Sequence, residues 1–421
     1  KLTGLSTENG NPAQIIPYDK GNDTYTALVA PQSVATGTAF ITCAFTNGKV
    51  FVYKMQSDTH WQAGEEYTYT VSLAAAEDPG YTIEGDGSYT VTTADGLKNV
   101  AKLVNEEGKT DINITLDTDL TLTGEWTPIG TESQPYTGTF NGKDKTITGL
   151  TVNQEGTNYV GLIGYLGSGG KVQNVVLEGV QITSDNSSGY AGGVAGDSWG
   201  TIENCSVSGS VSGTTFAGGV VGSQWGGSIT GCNSSATVKG VIFAGGIAGE
   251  TNSGASLTGC YATGDVTVEN DGTNNSHAGG VVGYNGGGTL TACYATGSVT
   301  GSGSGTIYVG GVTGSNNLGI LTACYHAKGT VSGPDGTTGG VAGRNFKGSM
   351  SGGGIITACY WGGNGQEQGI GEDQVGTGGT TQVTDGLWQN ALAHMNAALS
   401  GKGWQYELKD GNSLPTLKKE Q

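Results

Sequence analysis

Short apolar segments in the middle of the chain alternate with glycine clusters at a nearly regular interval. The pattern Gly-Gly-aliphatic-x-Gly recurs at 192–196, 218–222, 245–249, 279–283, 310–314 and 339–343, and a degenerate copy lies at 160–164. Neighbouring copies are between 26 residues (Gly193 to Gly219) and 34 residues (Gly246 to Gly280) apart. This length suits one coil of three short strands, so the pattern predicts a solenoid of seven coils.

A second pattern, aliphatic-x-x-Cys, follows each glycine cluster. It places one cysteine in each coil after the first, namely Cys205, Cys232, Cys260, Cys293, Cys324 and Cys359. The first coil has Val175 at the same place, which predicts that this column faces the core. Parallel neighbours stand one strand spacing apart, which is too far for a disulfide, and paired Cys-x-x-Cys ligands are missing from the sequence. We therefore interpret these thiols as small core groups and predict no metal site.

Stacking such coils gives a specific fold. Gly or Asn separates the apolar segments, where the backbone has to turn with positive φ. At a strand spacing of ~4.8 Å, stacked coils form three parallel sheets whose inward side chains make ladders. The predicted fold class is all-β, a right-handed parallel β-helix with short capping helices, preceded by a small β-sandwich-like domain.

Helical periodicity on both sides of the coils predicts the two caps. One helix presents an apolar face from Leu97 to Val104 and has Asp95 as its expected N-cap. The other, at 385–400, contains Trp388, Leu392, Met395 and Leu399 at helical spacing, with Asp385 as its expected N-cap. Because open sheet ends invite another chain to pair with them, we interpret both helices as covers for the ends of the solenoid.

The chain therefore divides into four predicted segments. Residues 1–76 form a complete or partial β-sandwich, with strands near 25–29, 40–45, 50–53 and 67–73 and a junction at 74–80. Residues 77–159 contain the first cap helix and the first β-helix strands. The seven coils occupy 160–363, and 364–421 form the C-terminal cap.

Composition and charge limit the partners of the protein. The 421 residues include 80 glycines and carry a formal charge of −18. A phosphate backbone would be repelled, so we exclude nucleic acid. No apolar run reaches the ~18 residues of a membrane span. We expect an extracellular protein, attached to the cell surface or outer membrane through a segment that lies outside this sequence.

Two strings of residues resemble known families. Gly-Gly-Val-Val-Gly at 279–283, followed by Leu-x-x-Cys-Tyr-Ala-Thr-Gly at 290–297, resembles the GLUG repeat of bacterial surface proteins, and the resemblance covers 160–362. The N-terminal strings at 28–32 and 64–69 resemble fimbrillin-like proteins of Bacteroidetes. These resemblances imply a surface or pilus-associated protein with a role in adhesion, with other surface or pilus subunits among its partners, and they supply no catalytic residues.

Aromatic residues are the candidate ligand-binding groups. The residue after the cysteine is expected to point away from the core, and in four consecutive coils it is Tyr261, Tyr294, Tyr325 and Tyr360. Such a column can bind a host glycan or protein, or it can stabilise stacked strands or lie under a neighbouring segment. Trp199 and Trp225 share a turn position and are candidates for a second patch, with the covering of a corner as the alternative.

Other chemistry is weakly indicated. The turn at 269–275 offers oxygen ligands for Ca²⁺, but it lacks EF-hand spacing, and ordinary turn chemistry accounts for it. No clustered carboxylates or catalytic motifs are recognisable, so we expect no catalytic residues and no enzyme. The predicted function is a non-enzymatic adhesin. The alternatives are a spacer without a ligand and a carbohydrate-active β-helix enzyme.

Overall fold

The structure, a computed structural model, describes residues 2–3, 17–22, 24–45, 49–71, 78–153, 156–347, 352–376, 378–384, 386–409 and 413–420. The chain forms two compact units, Lys1–Thr118 and Asp119–Gln421. The first is a small, mostly β unit and the second is a parallel β-solenoid. The predicted all-β class, the β-solenoid and the smaller β domain before it are confirmed. Most of the predicted junction, 74–77, lies outside the described residues.

The first unit contains short strands, most of them antiparallel, and one helix, α1 (Ala94–Asn105). Its strands are Leu2–Thr3, Tyr18–Gly21, Thr24–Thr26, Gln32–Val34, Ala39–Ala44, Val50–Lys54, Thr59–Trp61, Tyr81–Ile83, Tyr89–Val91 and Ile114–Leu116. A small aromatic core includes Phe40 and Trp61, whose ring centroids are 5.7 Å apart. The predicted strand at 67–73 is wrong over its described part, because 67–71 contain no strand.

Helix α1 begins two residues earlier than the sequence predicts. Thr93, and not Asp95, is the N-cap, and its Oγ1 accepts a hydrogen bond of 3.0 Å from the Gly96 amide. Asp95 lies in the first turn, where its charge complements the helix dipole. The predicted apolar face is buried, including Leu97 and Val104. Its role as a cover for the solenoid stays a prediction.

Three parallel sheets build the second unit, and we name them by their order in each coil. Sheet A contains Tyr159–Val160, Tyr190–Gly192, Phe216–Gly218, Phe243–Gly245, Ser276–Gly279, Ile307–Gly310 and Thr338–Gly339. Sheet B contains Ile163–Leu166, Ala195–Ser198, Val221–Gln224, Ala248–Asn252, Val282–Gly286, Thr313–Asn317, Ala342–Phe346 and Ile370–Asp373.

Sheet C bends in the middle, so most coils contribute two or three strands to it. These are Leu120–Thr121, Thr139–Thr148, Thr151–Val152, Lys171–Ser184, Thr201–Glu203, Ser206–Gly213, Ser228–Thr230, Asn233–Ser234, Thr237–Gly240, Ser256–Thr258, Tyr261–Ala262, Val266–Asp271, Thr289–Thr291, Tyr294–Ala295, Val299–Ser304, Ile320–Thr322, Tyr325–Ala327, Val331–Ser332, Ile355–Thr357, Cys359–Gly362 and Thr380–Gln382. Helix α2 (Gln389–Leu399) and a hairpin of Trp404–Glu407 and Thr416–Lys419 follow.

The coil array is longer than predicted. Strand Ile370–Asp373 adds an eighth strand to sheet B, and Thr380–Gln382 pairs with the end of the previous coil in sheet C. Both lie in the segment that the sequence assigns to the C-terminal cap. The repeat pattern does not reach them because this last coil has neither the glycine cluster nor the cysteine.

Glycine clusters form the corner between sheets A and B. A Cβ added at Gly279 would collide with the Val282 carbonyl of the same coil and with the Gly314 amide of the next. Because the backbones approach so closely there, only glycine fits, which explains the repeat pattern.

The cysteine column is buried, as predicted. All six cysteines have no measurable exposure, and the residue before each has positive φ, such as Asn204 at 51° and Ala292 at 53°. The thiols donate to nearby carbonyls, as Cys205 Sγ does to Glu203 O at 3.3 Å. Burial raises the pKa of the Cys260 and Cys324 thiols.

We expect the six thiols to resist labelling in the folded protein, because thiolate formation requires exposure to water. A neutral maleimide should label Cys43, which is partly exposed, well before the column cysteines react. All seven cysteines should label in denaturant. Mass spectrometry of labelled tryptic peptides measures this, and fast labelling of any column cysteine in native buffer would contradict the buried arrangement.

Candidate functional site

The four predicted tyrosines form a ladder on the outer side of sheet C. Tyr261, Tyr294 and Tyr325 stack with nearly parallel rings, at centroid separations of 5.0 and 4.8 Å. Tyr325 pairs in register with Tyr360 of the next coil. The alternation of the strand therefore places them where the sequence predicts, away from the solenoid core.

This ladder is covered by the C-terminal segment, and the interpretation of an exposed tyrosine surface is wrong. Tyr294, Tyr325 and Tyr360 are buried against a cluster that includes Met395 of α2 and Tyr406 of the hairpin. Tyr325 Oη donates to the Pro415 carbonyl at 2.5 Å, and Tyr406 Oη donates to the Ala323 carbonyl at 3.0 Å. The apolar rings favour burial over exposure, so they hold the segment in place.

Helix α2 consequently packs on a flank of the solenoid, and its predicted place over the end is wrong. The helix begins at Gln389 after Trp388, which makes no side-chain cap bond, and the predicted N-cap Asp385 lies outside the described residues. The hairpin extends the cover towards earlier coils, where a Cβ at Gly259 would collide with the Trp404 ring.

Trp199 and Trp225 stack with centroids 5.8 Å apart and planes within 7°. Trp199 is 43% exposed and Trp225 is partly exposed. Of the other predicted ligand-binding residues, Tyr261 is also partly exposed, but it packs against the cluster that covers the tyrosine ladder.

A row of aromatic rings follows the outer side of sheet A. Its members are Tyr159, Tyr190, Phe216, Phe243, His277 and Tyr308, stacked at centroid separations of 4.5 to 5.2 Å. The adjacent outward row of sheet B contains Tyr165, Asp197, Ser223, Glu250, Tyr284, Ser315, Arg344 and Glu372 in register. We name the surface formed by these two rows, with Trp199, Trp225, Asn317 and Phe346, the aromatic groove.

Sequence reasoning missed most of the groove, although a signal for it exists. The sheet A rings lie two residues before each glycine cluster, as Tyr190 does before Gly192. The sheet B row directly follows the last glycine of each cluster, as Asp197 follows Gly196. Reading these two columns across the repeats would have located the groove.

One end of the groove holds a cavity around Asp197. Tyr159, Tyr165, Tyr190, Trp199 and Trp225 line it together with the Asp197 carboxyl group, and its volume is about 250 Å³. Tyr165 lies nearly perpendicular to Tyr159, at 82° and 5.3 Å, so these two rings form a corner.

The Asp197 carboxyl group is buried and incompletely bonded. The residue is 4% exposed, and its Oδ1 has no hydrogen-bond partner among the described residues. Burial, together with the negative charges of Glu250 and Glu132, raises the pKa of Asp197 to about 7. Burial also raises the pKa of the Tyr159 and Tyr190 hydroxyls to about 12.

A second cavity, of about 310 Å³, lies further along the same groove. There Arg344 occupies the position that Asp197 has in its own coil, and its guanidinium lies 4.2 Å from the Phe346 centroid and 5.1 Å from the Tyr308 centroid. Glu372 forms an ion pair with Arg344 at 3.5 Å. This cavity is thus occupied in part by a cation of the protein itself.

His277, between the two ends, is neutral. Its Nδ1 lies 2.8 Å from Ser315 Oγ. Burial, and secondarily the charge of Arg344, lowers the pKa of His277 to about 3.

Glu250, in the sheet B row, accepts a hydrogen bond of 3.1 Å from Ser223 Oγ, and burial raises the pKa of its carboxyl group.

The turn considered for Ca²⁺ uses its oxygens internally. Asn270 Oδ1 accepts from the Gly272 amide, and Asp271 Oδ1 accepts from both the amide and the hydroxyl of Thr273. Within the described ranges, no group of three or more His, Cys, Asp or Glu is arranged to hold a metal ion.

Comparison with known families supports both resemblances. Residues 2–95 match the family described as fimbrillin-like, and residues 274–300 match the GLUG motif. The fimbrillin-like segment thus extends beyond the boundary at 76 that the sequence suggests. The chain carries a GLUG repeat and a fimbrillin-like N-terminal segment, as predicted.

Two curated relatives match parts of the chain. Halomucin of Haloquadratum walsbyi is 45% identical over 161 residues, which are 38% of this chain and 2% of halomucin. A candidate Gly-rich membrane protein of Evansella cellulosilytica is 34% identical over 126 residues, 29% of this chain and 14% of that protein. The chain therefore spans a small part of either relative. Together with the fimbrillin-like match, they indicate a surface or extracellular protein.

Two solved structures show distant similarity. A candidate immunoglobulin A1 protease from Bacteroides ovatus has 18% identity and a TM-score of 0.49, covering 82% of this chain and 96% of that one. An IgA1 protease has 14% identity and a TM-score of 0.44, and the match covers 84% of this chain and 29% of that one. Similarity at this level does not extend to function. No helix in the described part of the chain is long and apolar enough to cross a membrane.

The buried Asp197 predicts a specific pH dependence of stability. Its pKa is about 7 in the folded protein against an ordinary 3.8, so the folded state binds the proton more tightly. The free energy of unfolding should therefore fall as pH rises from about 4 to about 7. The Asp197→Asn variant lacks this pH dependence. Its free energy of unfolding, relative to that of the parent protein, should therefore rise by on the order of 3 to 4 kcal/mol between pH 4 and pH 8.

Denaturant unfolding of both proteins from pH 4 to pH 8 measures the difference in their free energies of unfolding. Carboxylates that both proteins share contribute about equally to each value, so their pH dependence is largely removed from the difference. Glu203→Gln is a control, since its more exposed carboxylate is paired with Lys171. A parent-to-variant difference that stays constant with pH would contradict the raised pKa.

Proposed function

We propose that this protein is a non-enzymatic surface adhesin whose aromatic groove binds a glycan chain. The observation that carries the proposal is the length of the groove. Stacked rings continue from Tyr159 to Tyr308 on sheet A, beside a polar row on sheet B. A host glycan or a glycan of a neighbouring cell is the ligand, and pilus or other surface subunits are further partners.

The chemistry of the groove suits a polyhydroxylated polymer. Aromatic side chains offer large apolar area at low cost in conformational entropy, and sugars combine apolar ring faces with hydroxyl groups. Tyr284 and Asn317, which are partly exposed and line the second cavity, supply polar groups beside the rings. The formal charge of −18 disfavours strongly acidic glycans, because like charges repel at long range.

Hydrolysis of the glycan is a second candidate because two carboxyl groups share one row. Asp197 and Glu250 lie two strand positions apart, or roughly 9 to 10 Å between backbones. An inverting glycosidase places its carboxyl groups at about 6.5 to 9.5 Å, and one of them has to be ionised. Burial raises the pKa of both groups here, which disfavours the ionised base. We therefore keep binding as the proposal.

Replacing both exposed tryptophans tests the groove. The Trp199→Ala, Trp225→Ala double variant should weaken binding to its preferred glycan by about 10- to 100-fold, since each ring contributes roughly 0.5 to 1.5 kcal/mol. A glycan array identifies the ligand, and calorimetry measures the affinity. Tyr18→Ala is the control, because Tyr18 is an aromatic of the first unit that is 73% exposed.

The outcomes separate the alternatives. Equal affinity of the double variant and the parent protein would overturn the groove as the binding surface. A parent protein that binds no glycan on the array would favour the spacer, and release of reducing ends that Asp197→Asn abolishes would favour the enzyme.

A further inference from the structure

We propose that the cavity around Asp197 is a binding site for an alkylammonium cation, such as a trimethylammonium group or the ammonium group of an amino sugar. The carboxylate would supply the opposite charge, and the five aromatic side chains that line the depression would contact the cation. This goes beyond glycan binding by the groove, since it names a charged ligand group for one end of it.

The first observation is a buried acid with one unpartnered oxygen. Asp197 is 4% exposed and lines the cavity, and its Oδ1 has no hydrogen-bond partner among the described residues. Its carboxyl group has one backbone hydrogen bond, with Ser198, and the ion pairs in the described part of the chain do not include it. A buried carboxyl oxygen without a partner is costly, and functional sites are where such groups concentrate.

The second observation is the arrangement of rings. Tyr159 stacks on Tyr190 at 4.9 Å, Tyr165 meets Tyr159 at nearly a right angle, and Trp199 stacks on Trp225. These five rings, in two orientations, line one open depression together with the Asp197 carboxyl group. Aromatic rings favour cations, because their electron-rich faces attract positive charge.

The third observation comes from the other end of the groove. There the same row of sheet B carries Arg344, whose guanidinium lies against Phe346 and Tyr308 and pairs with Glu372. The protein therefore places its own cation against the aromatic rings of that cavity. At the Asp197 cavity the row supplies an acid instead, and in this proposal the complementary cation comes from a ligand.

The size of the cavity limits the ligand. A volume of about 250 Å³ is enough for a small alkylammonium group and too small for a folded peptide segment. The negative groups that act on Asp197 are Glu250 and Glu132. The hydroxyls of Tyr159 and Tyr190, whose pKa burial raises to about 12, stay neutral. The two carboxylates favour a cation and disfavour an anion.

Choline and its neutral isostere 3,3-dimethylbutan-1-ol test the proposal on the full chain. The two probes have nearly the same shape, and only choline is charged. We expect choline to bind at least 10-fold more tightly, measured by calorimetry and by the change in Trp199 and Trp225 fluorescence. Glucosamine, which carries a primary ammonium group, distinguishes an amino sugar from a trimethylammonium ligand. Tighter binding of either glucosamine or choline supports the proposal, because both are alkylammonium cations.

Variants separate the charge from the shape. Asp197→Asn should lose at least 10-fold in choline affinity, whereas Glu250→Gln, two coils further along the row, should lose less than about 3-fold. Circular dichroism confirms that each variant is folded, and Asp197→Glu, which keeps the charge, should retain binding better than Asp197→Asn.

Protonation gives an independent readout. The affinity for choline, whose charge is permanent, should rise as pH increases from about 5 to about 8, because Asp197 ionises in that interval. Equal binding of choline and the neutral isostere, or choline affinity unchanged in Asp197→Asn, would overturn the proposal. Both outcomes are independent of whether the groove binds a neutral glycan.

Discussion

Backbone hydrogen bonds between consecutive coils are the constraint on which the rest of the solenoid depends. They hold each residue directly beside the residue at the same position of the coil before, as with Ala217, Ala244 and Ala278 on sheet A. This register is possible because the glycine corners let neighbouring coils approach without a Cβ in the way. Any side chain at a given position therefore becomes a member of a column.

Columns explain both the stability and the surface of the unit. Inside, small residues such as the cysteines and alanines repeat because each must fit against its own copy. Outside, the same geometry turns a single aromatic position into a row of stacked rings. The solenoid uses one such row, the tyrosines of sheet C, to bind its own C-terminal segment. In the row of sheet A, the rings from Tyr159 to Phe243 stay partly exposed, while His277 and Tyr308 are buried.

The sequence predicts the parts of the structure that recur and misses those that occur once. The coil repeat, the buried cysteine column and the outward direction of Tyr294 and Tyr325 all follow from periodicity. The cover over those tyrosines does not, because the contact of Tyr406 with Ala323 joins residues 83 positions apart and has no counterpart in other coils. The last coil is missed because it lacks the glycine cluster and the cysteine by which the other coils are recognised.

The candidate site was missed in a different way. Each of its residues is unremarkable within its own coil, and Asp197 is one acid among many. Its burial, its unpartnered oxygen and its ring neighbours come from residues of three coils, since Tyr159, Tyr190 and Trp225 each belong to a different one. Searching the columns beside the glycine clusters would recover the residues, but their burial depends on packing that no single column contains.

The row of sheet B that carries Asp197, Glu250 and Arg344 also has an evolutionary consequence. Because the core columns are nearly identical from coil to coil, loss or duplication of one coil leaves the interior intact and changes only which surface groups are neighbours. Removing the coil of Ser223 would bring Asp197 beside Glu250, and duplicating a coil would move Arg344 further from both. Recombination within such a gene can thus rearrange the surface chemistry of the groove without disrupting the core.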